Sequence, residues 1–332
     1  MGERVRLGHG SGGVLSRKLV EEAFLPFLSN PVLDALGDSG VFRLGEKRFA
    51  LTTDSFVVKP IFFPGGDIGK LSASGTINDL AVSGARPLFL TGGFVLEEGL
   101  DIDDLARIIA SFADTIREAG ATFVAGDTKV IEGSGGLIVN TAGLGEVLPD
   151  LELGPHRIEP GDRIIVSGTV GDHGFAVLLA RGELGLSADF PSDCAPVWGL
   201  LEPLYRELGR DIKFVRDPTR GGLATVLNEA CRPGLDFVIE EGDVPVRPEV
   251  AAASELLGFD PLYSACEGRA VVFVARDRAE NALEILRAHP LGQGSAVIGE
   301  VTEGKGMVIG ITETGGKRVL DMLAEDQYPR IC

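Results

Sequence analysis

The feature that most constrains the fold is a long amphipathic segment followed by an apolar strand pattern that ends in polar residues. Residues 100–119 carry isoleucine, leucine and phenylalanine at helical spacing, with acidic residues in the first turn. Residues 122–129 then read as a buried strand that ends in Asp127, Thr128 and Lys129. Because α/β proteins place ligand-binding groups at strand ends, the pattern predicts an α/β chain whose functional side chains follow its strands.

The length and the loop composition predict two domains. The chain has 332 residues, which is too many for one ordinary core. Residues 146–160 hold prolines, glycine and mixed charge and predict the boundary. The predicted divisions are a glycine-rich segment and helix over 1–40, an N-terminal domain over 41–150, a C-terminal α/β domain over 151–315, and a helix with a mobile tail over 316–332.

Composition excludes several classes of protein. The formal net charge of -18 argues against a nucleic-acid partner, which requires a basic face. We expect no membrane association, because no apolar run reaches the ~18 residues of a membrane span and the N-terminus lacks a secretory signal. The four cysteines are well separated and form no CxxC pair, which favours a reducing, cytoplasmic location. An acidic chain can still bind a nucleotide through Mg²⁺.

Three glycine-containing loops are candidates for anion binding. Residues 8–13 match GxGxxG but lack the preceding strand of a dinucleotide site, so they form either an anion-binding loop or a flexible linker. Residues 64–71 resemble a P-loop but lack its first glycine and the hydroxyl residue that Leu71 replaces. Residues 217–222 combine Asp, Thr, Arg and two glycines before a helix, which suits a phosphate collar.

Several acidic residues are candidates for metal binding. Asp38 lies in a predicted turn and Asp54 ends the strand predicted over 48–55. Each alone is more often a turn or cap residue, whereas two acids close together at strand ends are better ligand candidates. Asn78 and Asp79 lie inside a predicted helix, where their short polar side chains are disfavoured. They form either part of a site or a solvent-facing pair.

Three further residues are candidates for acid–base or nucleophilic chemistry. Glu267 precedes a predicted strand beside a glycine and is either a general base or a solvated loop acid. His173 lies in a turn and is more often a hydrogen-bond partner than a base; no two histidines have zinc-ligand spacing. Cys332 ends the chain as either an accidental cysteine or a nucleophilic thiol.

Taken in order, these motifs resemble the HypE family of NiFe-hydrogenase maturation proteins over essentially the whole chain. Most of them are shared with a wider ATP-binding superfamily that includes aminoimidazole ribonucleotide synthetase and selenophosphate synthetase. The terminal PRIC sequence distinguishes the HypE family. The matching blocks are 10–13 (GSGG), 53–55 (TDS), 75–87 (GTINDLAVSGARP), 126–129 (GDTK), 171–174 (GDHG), 217–222 (DPTRGG), 265–269 (ACEGR) and 329–332 (PRIC).

The resemblance implies a mixed α/β (α+β), two-domain, aminoimidazole ribonucleotide synthetase-like fold with a flexible C-terminal tail. Residues 41–150 would bind ATP and form a homodimer through a β-barrel-like interface. The cofactors implied are ATP and Mg²⁺. A HypF-type carbamoyltransferase would load a carbamoyl group onto Cys332. ATP would then drive its dehydration from thiocarboxamide to thiocyanate, and the cyanide would pass to iron on a HypC–HypD complex.

This chemistry assigns a role to each candidate residue. Phosphorylation of the carbamoyl oxygen creates a leaving group, Lys129 would stabilise the transferred charge, and Glu267 would take the protons, with His173 as a weaker alternative. The predicted catalytic residues are Cys332, Lys129, Glu267 and Asp79, and the predicted metal ligands are Asp38, Asp54, Asp79 and Asp127. The predicted nucleotide-binding residues are Gly12, Gly13, Asp38, Asp54, Lys70, Asn78, Asp127, Thr128, Asn140, Asp217 and Arg220.

Two other functions remain open at this level. One is a different ATP-dependent synthetase of the same superfamily that acts on a free small molecule. The other is a non-enzymatic thiol carrier or scaffold. The ordered acidic and glycine motifs make the carrier the least favoured of the three.

Overall fold

The computed structural model describes residues 4–10, 12–182, 185 and 190–324. Helices and strands mix throughout, in agreement with the predicted fold class. The helices are α1 (Gly13–Leu19), α2 (Leu25–Leu28), α3 (Ile68–Val82), α4 (Ile102–Glu118), α5 (Asp172–Ala180), α6 (Trp198–Leu208), α7 (Gly222–Ala230), α8 (Pro248–Leu257) and α9 (Ala279–Arg287). The strands are β1 (Gly40–Leu44), β2 (Lys47–Phe56), β3 (Phe62–Phe63), β4 (Gly66–Asp67), β5 (Ala85–Glu97), β6 (Thr122–Ile131), β7 (Leu137–Val147), β8 (Arg163–Val166), β9 (Ile212–Arg216), β10 (Gly234–Glu240), β11 (Val271–Val274), β12 (Ala296–Gly304), β13 (Val308–Ile311) and β14 (Lys317–Val319).

Two large sheets organise the described chain. The N-terminal sheet has the order β1-β2-β7-β5-β6, and the C-terminal sheet has the order β14-β13-β10-β12-β8-β11-β9. The first sheet ends with β7 at Val147 and the second begins with β8 at Arg163. Within the described ranges, no helix combines the length and apolarity that a membrane crossing requires.

Helix α3 lies between the N-terminal sheet and the C-terminal half of the chain. Asp67 caps its N-terminus, where the Asp67 carboxylate accepts hydrogen bonds from the backbone N–H groups of Gly69 and Lys70. The helix is almost entirely buried because it also packs against α6, where the Tyr205 hydroxyl donates to the Ala81 carbonyl at 2.9 Å. Its glycine, alanine and serine residues permit this close packing, and polar residues on it are therefore held at a buried junction.

Strand register places two predicted site residues, Asn140 and Asp127, in one row across the N-terminal sheet. Ser55 on β2 pairs with Asn140 on β7, which pairs with Gly93 on β5, which pairs with Asp127 on β6. Strands lie about 4.8 Å apart, so three spacings separate the backbone of Ser55 from that of Asp127 by about 14 Å. The row shows which side chains share a face and how far apart their strands lie.

Strand β6 forms where the sequence predicts a strand, but the expectation that it is buried is wrong. Every residue of β6 is exposed, because it is the last strand of its sheet and pairs on one side only with β5. The side chains of Val124 and Val130 are 53% and 68% exposed. The apolar residues that suggested burial therefore lie on an open sheet edge.

The helix predicted at the start of the 316–332 segment is also wrong. Residues Lys317–Val319 form β14, which pairs antiparallel with β13. Arg318 forms ion pairs with Glu241 at 2.6 Å and with Asp260 at 2.8 Å, and Leu320 is buried. Strand pairing and these contacts outweigh the local helical preference, which is worth only a fraction of a kcal/mol per residue.

Candidate functional site

Three acidic side chains meet at the junction between the two halves of the chain. The carboxylate oxygens of Asp38, Asp79 and Asp217 lie within 4.8 Å of one another. Asp38 precedes β1, Asp79 lies in the last turn of α3, and Asp217 follows β9. We call these three residues the acid cluster. The sequence predicts each as a site residue, and the fold brings them together from segments far apart in the chain.

The surroundings of the acid cluster supply few compensating groups. The Thr52 hydroxyl donates to Asp79 at 2.6 Å. Arg216 approaches Asp38 at 2.9 Å and is shared with Glu229 at 3.1 Å. One carboxylate oxygen of Asp217 is buried without a hydrogen-bond partner among the described residues. Negative charge in the cluster therefore exceeds the positive charge available to balance it.

Burial and mutual repulsion raise the pKa values of all three carboxyl groups. Burial raises the pKa of Asp217 to about 8, and the neighbouring charge of Asp38 adds to the effect. The pKa of Asp79 is raised well above its ordinary value by burial and then by Asp217 and Asp38. Burial also raises the pKa of Asp38, against the opposing effect of Arg216.

The acid cluster fits a divalent cation. A cation would offset the repulsion and engage the unpartnered oxygen of Asp217. The donors are all carboxylate oxygens, which Mg²⁺ prefers.

Asp54 lies next to the acid cluster but outside its closest group. It is half-buried near the end of β2. Burial raises its pKa and the Arg220 guanidinium lowers it, while its charge contributes to the raised pKa of Asp79. One of its oxygens accepts the N–H of Ser55 at 2.8 Å. Asp54 thus remains a predicted ligand, placed between the cluster and Arg220.

Glu267 is buried on the C-terminal side of the same junction. Its carboxylate points toward Gly75 of α3, where an added Cβ would lie 3.9 Å from a carboxylate oxygen of Glu267. Burial, followed by the charges of Asp217 and Asp193, raises its pKa well above the ordinary range. The alternative of a solvated loop acid is therefore wrong, because the side chain lies in the junction. A carboxylate with a raised pKa is a stronger proton acceptor once ionised.

Asn78 is fully buried, so the alternative of a solvent-facing pair is wrong for it. Its side-chain amide donates to the carbonyls of Ala195 at 3.2 Å and Glu267 at 3.1 Å. Its oxygen accepts the N–H of Val197 at 2.8 Å. These bonds occupy the amide with backbone groups of the C-terminal half. Asn78 therefore holds the Glu267 loop, and its predicted contact with nucleotide stays a prediction.

The N-terminal glycine loop packs onto the 217–222 loop. Gly12 and Gly13 have φ values of +82° and +73°, which other residues rarely adopt. Arg220 donates to the Gly10 carbonyl at 3.2 Å. The N–H of Val14 donates to the carbonyl of Leu323 at 3.1 Å. The linker alternative is therefore weakened, and the last described residues lie beside this loop; Cys332 is outside the described residues.

Asn140 and Lys70, two further predicted nucleotide-binding residues, donate hydrogen bonds to neighbouring segments. Asn140 donates from its side chain to the Asp54 carbonyl and the Ser55 hydroxyl, both at 2.9 Å. It therefore lies beside the end of β2. Lys70 donates to the Gly65 carbonyl at 3.1 Å, in the first turn of α3.

Asp127, Thr128 and Lys129 lie apart from the acid cluster. They follow one another on the exposed strand β6, and the Lys129 amine contacts the Asp127 carboxylate at 2.6 Å. This hydrogen bond lowers the pKa of Asp127. The side chains of Lys129 and Asp127 are 66% and 71% exposed. Within one chain these residues face solvent, and their contacts with nucleotide and metal stay predictions.

His173, the weaker candidate base, is buried in the first turn of α5. Burial lowers its pKa to about 3, so the ring is neutral near pH 7. The ring contacts the Ser192 hydroxyl at 2.9 Å and packs edge-on against Phe63. This environment favours the role of hydrogen-bond partner.

Sequence reasoning missed several residues that shape the site. Thr52 bridges Asp79 and the Asp38 carbonyl, and Arg216 is the cation nearest to Asp38. Asp193 accepts hydrogen bonds from the loop that carries Glu267. Arg216 could have been noticed because it immediately precedes Asp217 in the sequence. Asp193 has no comparable signal, because its contact depends on a loop 74 residues away.

Models of two domain families match the two halves of the chain. The AIR synthase related protein N-terminal domain matches residues 36–147, and the AIR synthase related protein C-terminal domain matches residues 159–312. A carbamoyl dehydratase HypE from Azotobacter vinelandii is 46% identical over 99% of this chain and 97% of its own length. The chain belongs to the HypE family of carbamoyl dehydratases. The family and the two-domain fold predicted from the motifs are thereby confirmed.

Solved structures of HypE agree with this assignment. HypE in a HypE–HypF complex superposes with a TM-score of 0.85 at 44% identity, covering 92% of this chain and 99% of that one. HypE in complex with ATP superposes with a TM-score of 0.81 at 45% identity, covering 98% of this chain and 99% of that one. ATP binding is therefore a property of a close structural relative.

Proposed function

We propose that this chain uses ATP to dehydrate a carbamoyl group carried on the thiol of Cys332. The product would be a thiocyanate that supplies the cyanide ligand of iron in NiFe hydrogenase. The observation that carries the proposal is the buried junction at which Glu267 and the acid cluster meet. The last described residues before Cys332 lie at this junction, because the Leu323 carbonyl accepts a hydrogen bond from the Val14 N–H beside the 217–222 loop.

The reaction balances with ATP as the only co-substrate. The carbamoyl oxygen attacks the γ-phosphorus, the bond from that phosphorus to the ADP oxygen breaks, and ADP leaves. The C–O bond then breaks and phosphate leaves as the nitrogen loses its two protons to form the nitrile. Glu267 would accept one proton at this step, and the second proton would leave with phosphate or solvent.

Asp38, Asp79 and Asp217 are the residues that would hold Mg²⁺. The ion would supply positive charge next to the phosphates of ATP. The unpartnered oxygen of Asp217 and the raised pKa values of the cluster support this assignment. Arg220 and the glycine loop around Gly12 would lie against the phosphates, because they adjoin Asp54 and the cluster.

A homodimer would explain the exposed side of the N-terminal sheet. Leu51, Leu144 and Phe89 form one cross-strand row on that side, and Leu51 and Phe89 are 50% and 44% exposed. Continuous apolar surface of this kind is typical of an interface. The open edge of β6 borders the same surface. In a twofold dimer, Lys129 of one chain would complete the nucleotide site of the other.

The other partners follow from the proposed chemistry. A HypF-type carbamoyltransferase would load Cys332, in keeping with the solved HypE–HypF complex. The cyanide would pass to iron held by a HypC–HypD complex. The terminal thiol must be reduced to accept a carbamoyl group, which a cytoplasmic location would maintain.

Mass spectrometry of the C-terminal peptide tests the proposal. The protein is incubated with the transferase, a carbamoyl donor and Mg-ATP, and we expect a carbamoyl adduct on Cys332 that then loses one water. Cys332→Ala should abolish both species, while Cys231→Ala, a matched change at a half-buried cysteine, should preserve them. A nitrile adduct in Cys332→Ala would refute the proposal. Turnover of a free substrate after removal of residues 329–332 would favour the other synthetase.

A further inference from the structure

The loop that carries Glu267 is held in place by groups outside its own strand. The segment between α5 and α6 that contains Asp193, Ala195 and Val197 runs alongside it, and we call residues 193–197 the bracing segment. All five residues of this segment are buried. None of its residues belongs to a predicted site, and the proposed reaction does not use them directly.

Asp193 binds the loop from the amide side. One of its carboxylate oxygens accepts the N–H of Glu267 at 3.2 Å, and the other accepts the N–H of Gly268 at 3.1 Å. The Asp193 side chain has no exposed area, and the guanidinium of Arg269 lies 3.7 Å from the second oxygen. A carboxylate that accepts from two successive amides fixes the orientation of the peptide between them.

The carbonyl side of Glu267 is fixed as well. The Glu267 carbonyl accepts the N–H of Ala195 at 3.2 Å and the side-chain amide of Asn78 at 3.1 Å. Asn78 also binds the Ala195 carbonyl and the Val197 N–H, so α3 and the bracing segment are tied to each other. Both backbone polar groups of Glu267 therefore have partners on neighbouring elements.

Close packing removes the remaining freedom of the loop. A Cβ at Gly268 would collide with the carbonyl oxygen of Asp193, so the two backbones approach as closely as glycine allows. On the opposite side, Gly75 of α3 leaves room for the Glu267 carboxylate next to Phe56. The direction of the Glu267 side chain is thus set by contacts to its backbone.

We propose that Asp193 is a positioning residue. By accepting hydrogen bonds from the backbone N–H groups of Glu267 and Gly268, it orients the Glu267 carboxylate for proton removal. The inference rests on the proposed role of Glu267 as the general base. Asp193 itself touches neither nucleotide nor carbamoyl group. Displacement of a catalytic group by about 1 Å can lower a rate about 10²-fold. The loss of these two hydrogen bonds should therefore slow the dehydration step.

A double-mutant cycle tests the proposal. Asp193→Asn keeps the shape of the side chain but turns an NH₂ group toward one of the two backbone N–H donors. We expect single-turnover loss of water from the carbamoylated protein to slow by about 10²-fold. The affinity for ATP and the carbamoylation of Cys332 by the transferase should change by less than about 2-fold. In the Glu267→Gln background, Asp193→Asn should cause little further loss, because Asp193 acts through Glu267.

Asp236→Asn is the matched control. Asp236 is another buried carboxylate of the C-terminal half, and it accepts from the successive backbone amides of Lys305, Gly306 and Met307. It should leave the rate of dehydration unchanged. Gly268→Ala provides a second test, because it displaces the Asp193 backbone without changing any charge, and it should reproduce the Asp193→Asn defect.

The outcomes separate this inference from the proposed function. Near-normal dehydration in both Asp193→Asn and Gly268→Ala would overturn the positioning role. The role is also overturned if the double variant loses dehydration rate by the product of the two single fold-losses, because Asp193 and Glu267 would then act independently. Unimpaired dehydration in Glu267→Gln would instead refute Glu267 as the base. If Asp193→Asn does not fold, Gly268→Ala in the same cycle decides the question.

Discussion

The two groups of predicted site residues lie in opposite environments. Asp79, Asp217 and Glu267 are gathered at a buried junction within one chain, where burial and repulsion raise the pKa of each carboxyl group. Asp127 and Lys129 lie on an open sheet edge, where the Lys129 amine donates to the Asp127 carboxylate and the Thr128 carbonyl of its own strand. The buried group is organised by the fold of a single chain, whereas the exposed group would be completed by the second chain of the proposed dimer.

This contrast shows which interactions are already formed before substrate binds. Preorganised charges act strongly because they are held in a low-dielectric environment and need little rearrangement. The ion pair between Lys129 and Asp127 is exposed and screened by solvent, so it separates readily when a stronger partner arrives. A dimer that covers β6 would change the exposed group far more than the buried one.

Glu267→Gln should have the largest effect. Removal of a positioned general base should slow dehydration by about 10²–10⁴-fold, while loading of Cys332 with the carbamoyl group continues. Mass spectrometry would then show the carbamoyl adduct accumulating. A normal yield of the nitrile adduct would contradict the assignment of the buried group as the source of the base.

Lys129→Ala should have the second-largest effect, and it tests whether the exposed group takes part in the reaction. Loss of a charge-stabilising donor should lower the rate by about 10²–10³-fold.

Mixing Lys129→Ala with Glu267→Gln tests whether Lys129 acts across the interface. If it does, mixed dimers regain one complete site each. Random exchange should then restore about a quarter of the sites, which active-site titration can measure. The absence of any recovery, with subunit exchange demonstrated, would place Lys129 in the site of its own chain.

Asp217→Asn should weaken binding of Mg-ATP by at least about 10-fold, as measured by calorimetry. Asp162→Asn is the matched control, since Asp162 is a buried carboxylate of the same half that accepts the Glu159 N–H outside the cluster. Equal losses of affinity in the two variants would remove Asp217 from the cation site.

In the absence of metal, Asp217→Asn should stabilise the folded chain, although it weakens the binding of Mg-ATP. The pKa of Asp217 is raised to about 8 in the folded chain, against an ordinary value of about 3.9. The stability that goes with this group is therefore complete below about pH 4 and is lost as the pH rises through about 8. The gain in melting temperature from Asp217→Asn should grow across that range in the presence of a chelator, and a constant difference would contradict it.

His173→Gln should have the smallest effect on function and a defined effect on acid stability. Burial lowers the pKa of His173 to about 3, while an unfolded histidine titrates near about 6.5. The stability due to the neutral ring is therefore present above about pH 6.5 and is lost as the pH falls toward about 3. In denaturant unfolding, the free energy of unfolding of the wild type should fall by up to about 1.4 kcal/mol more per pH unit than that of the variant. Parallel curves would show that the ring titrates normally.

Much of the chemistry was predictable because the family motifs are local in sequence. Asp38 and Glu267 each lie next to a glycine, Asp217 begins a loop with two glycines, and Asp79 lies in a helix interior that disfavours short polar side chains. The strand over residues 122–131 was also predictable from its apolar run. Its exposure was not, because an edge strand and a buried strand can share the same composition, and only the strand order distinguishes them.

The sequence by itself determined the family, the α/β class and most of the polar residues that face the junction. Only the tertiary structure decided that Asn78 binds backbone groups, that Asp193 accepts hydrogen bonds from the Glu267 loop, and that residues 317–319 form a strand. The physical reason is that these outcomes depend on hydrogen bonds between segments distant in the chain, and backbone groups carry no sequence signal of their own. The motifs specify which side chains are present, and long-range packing specifies which of them are free to react.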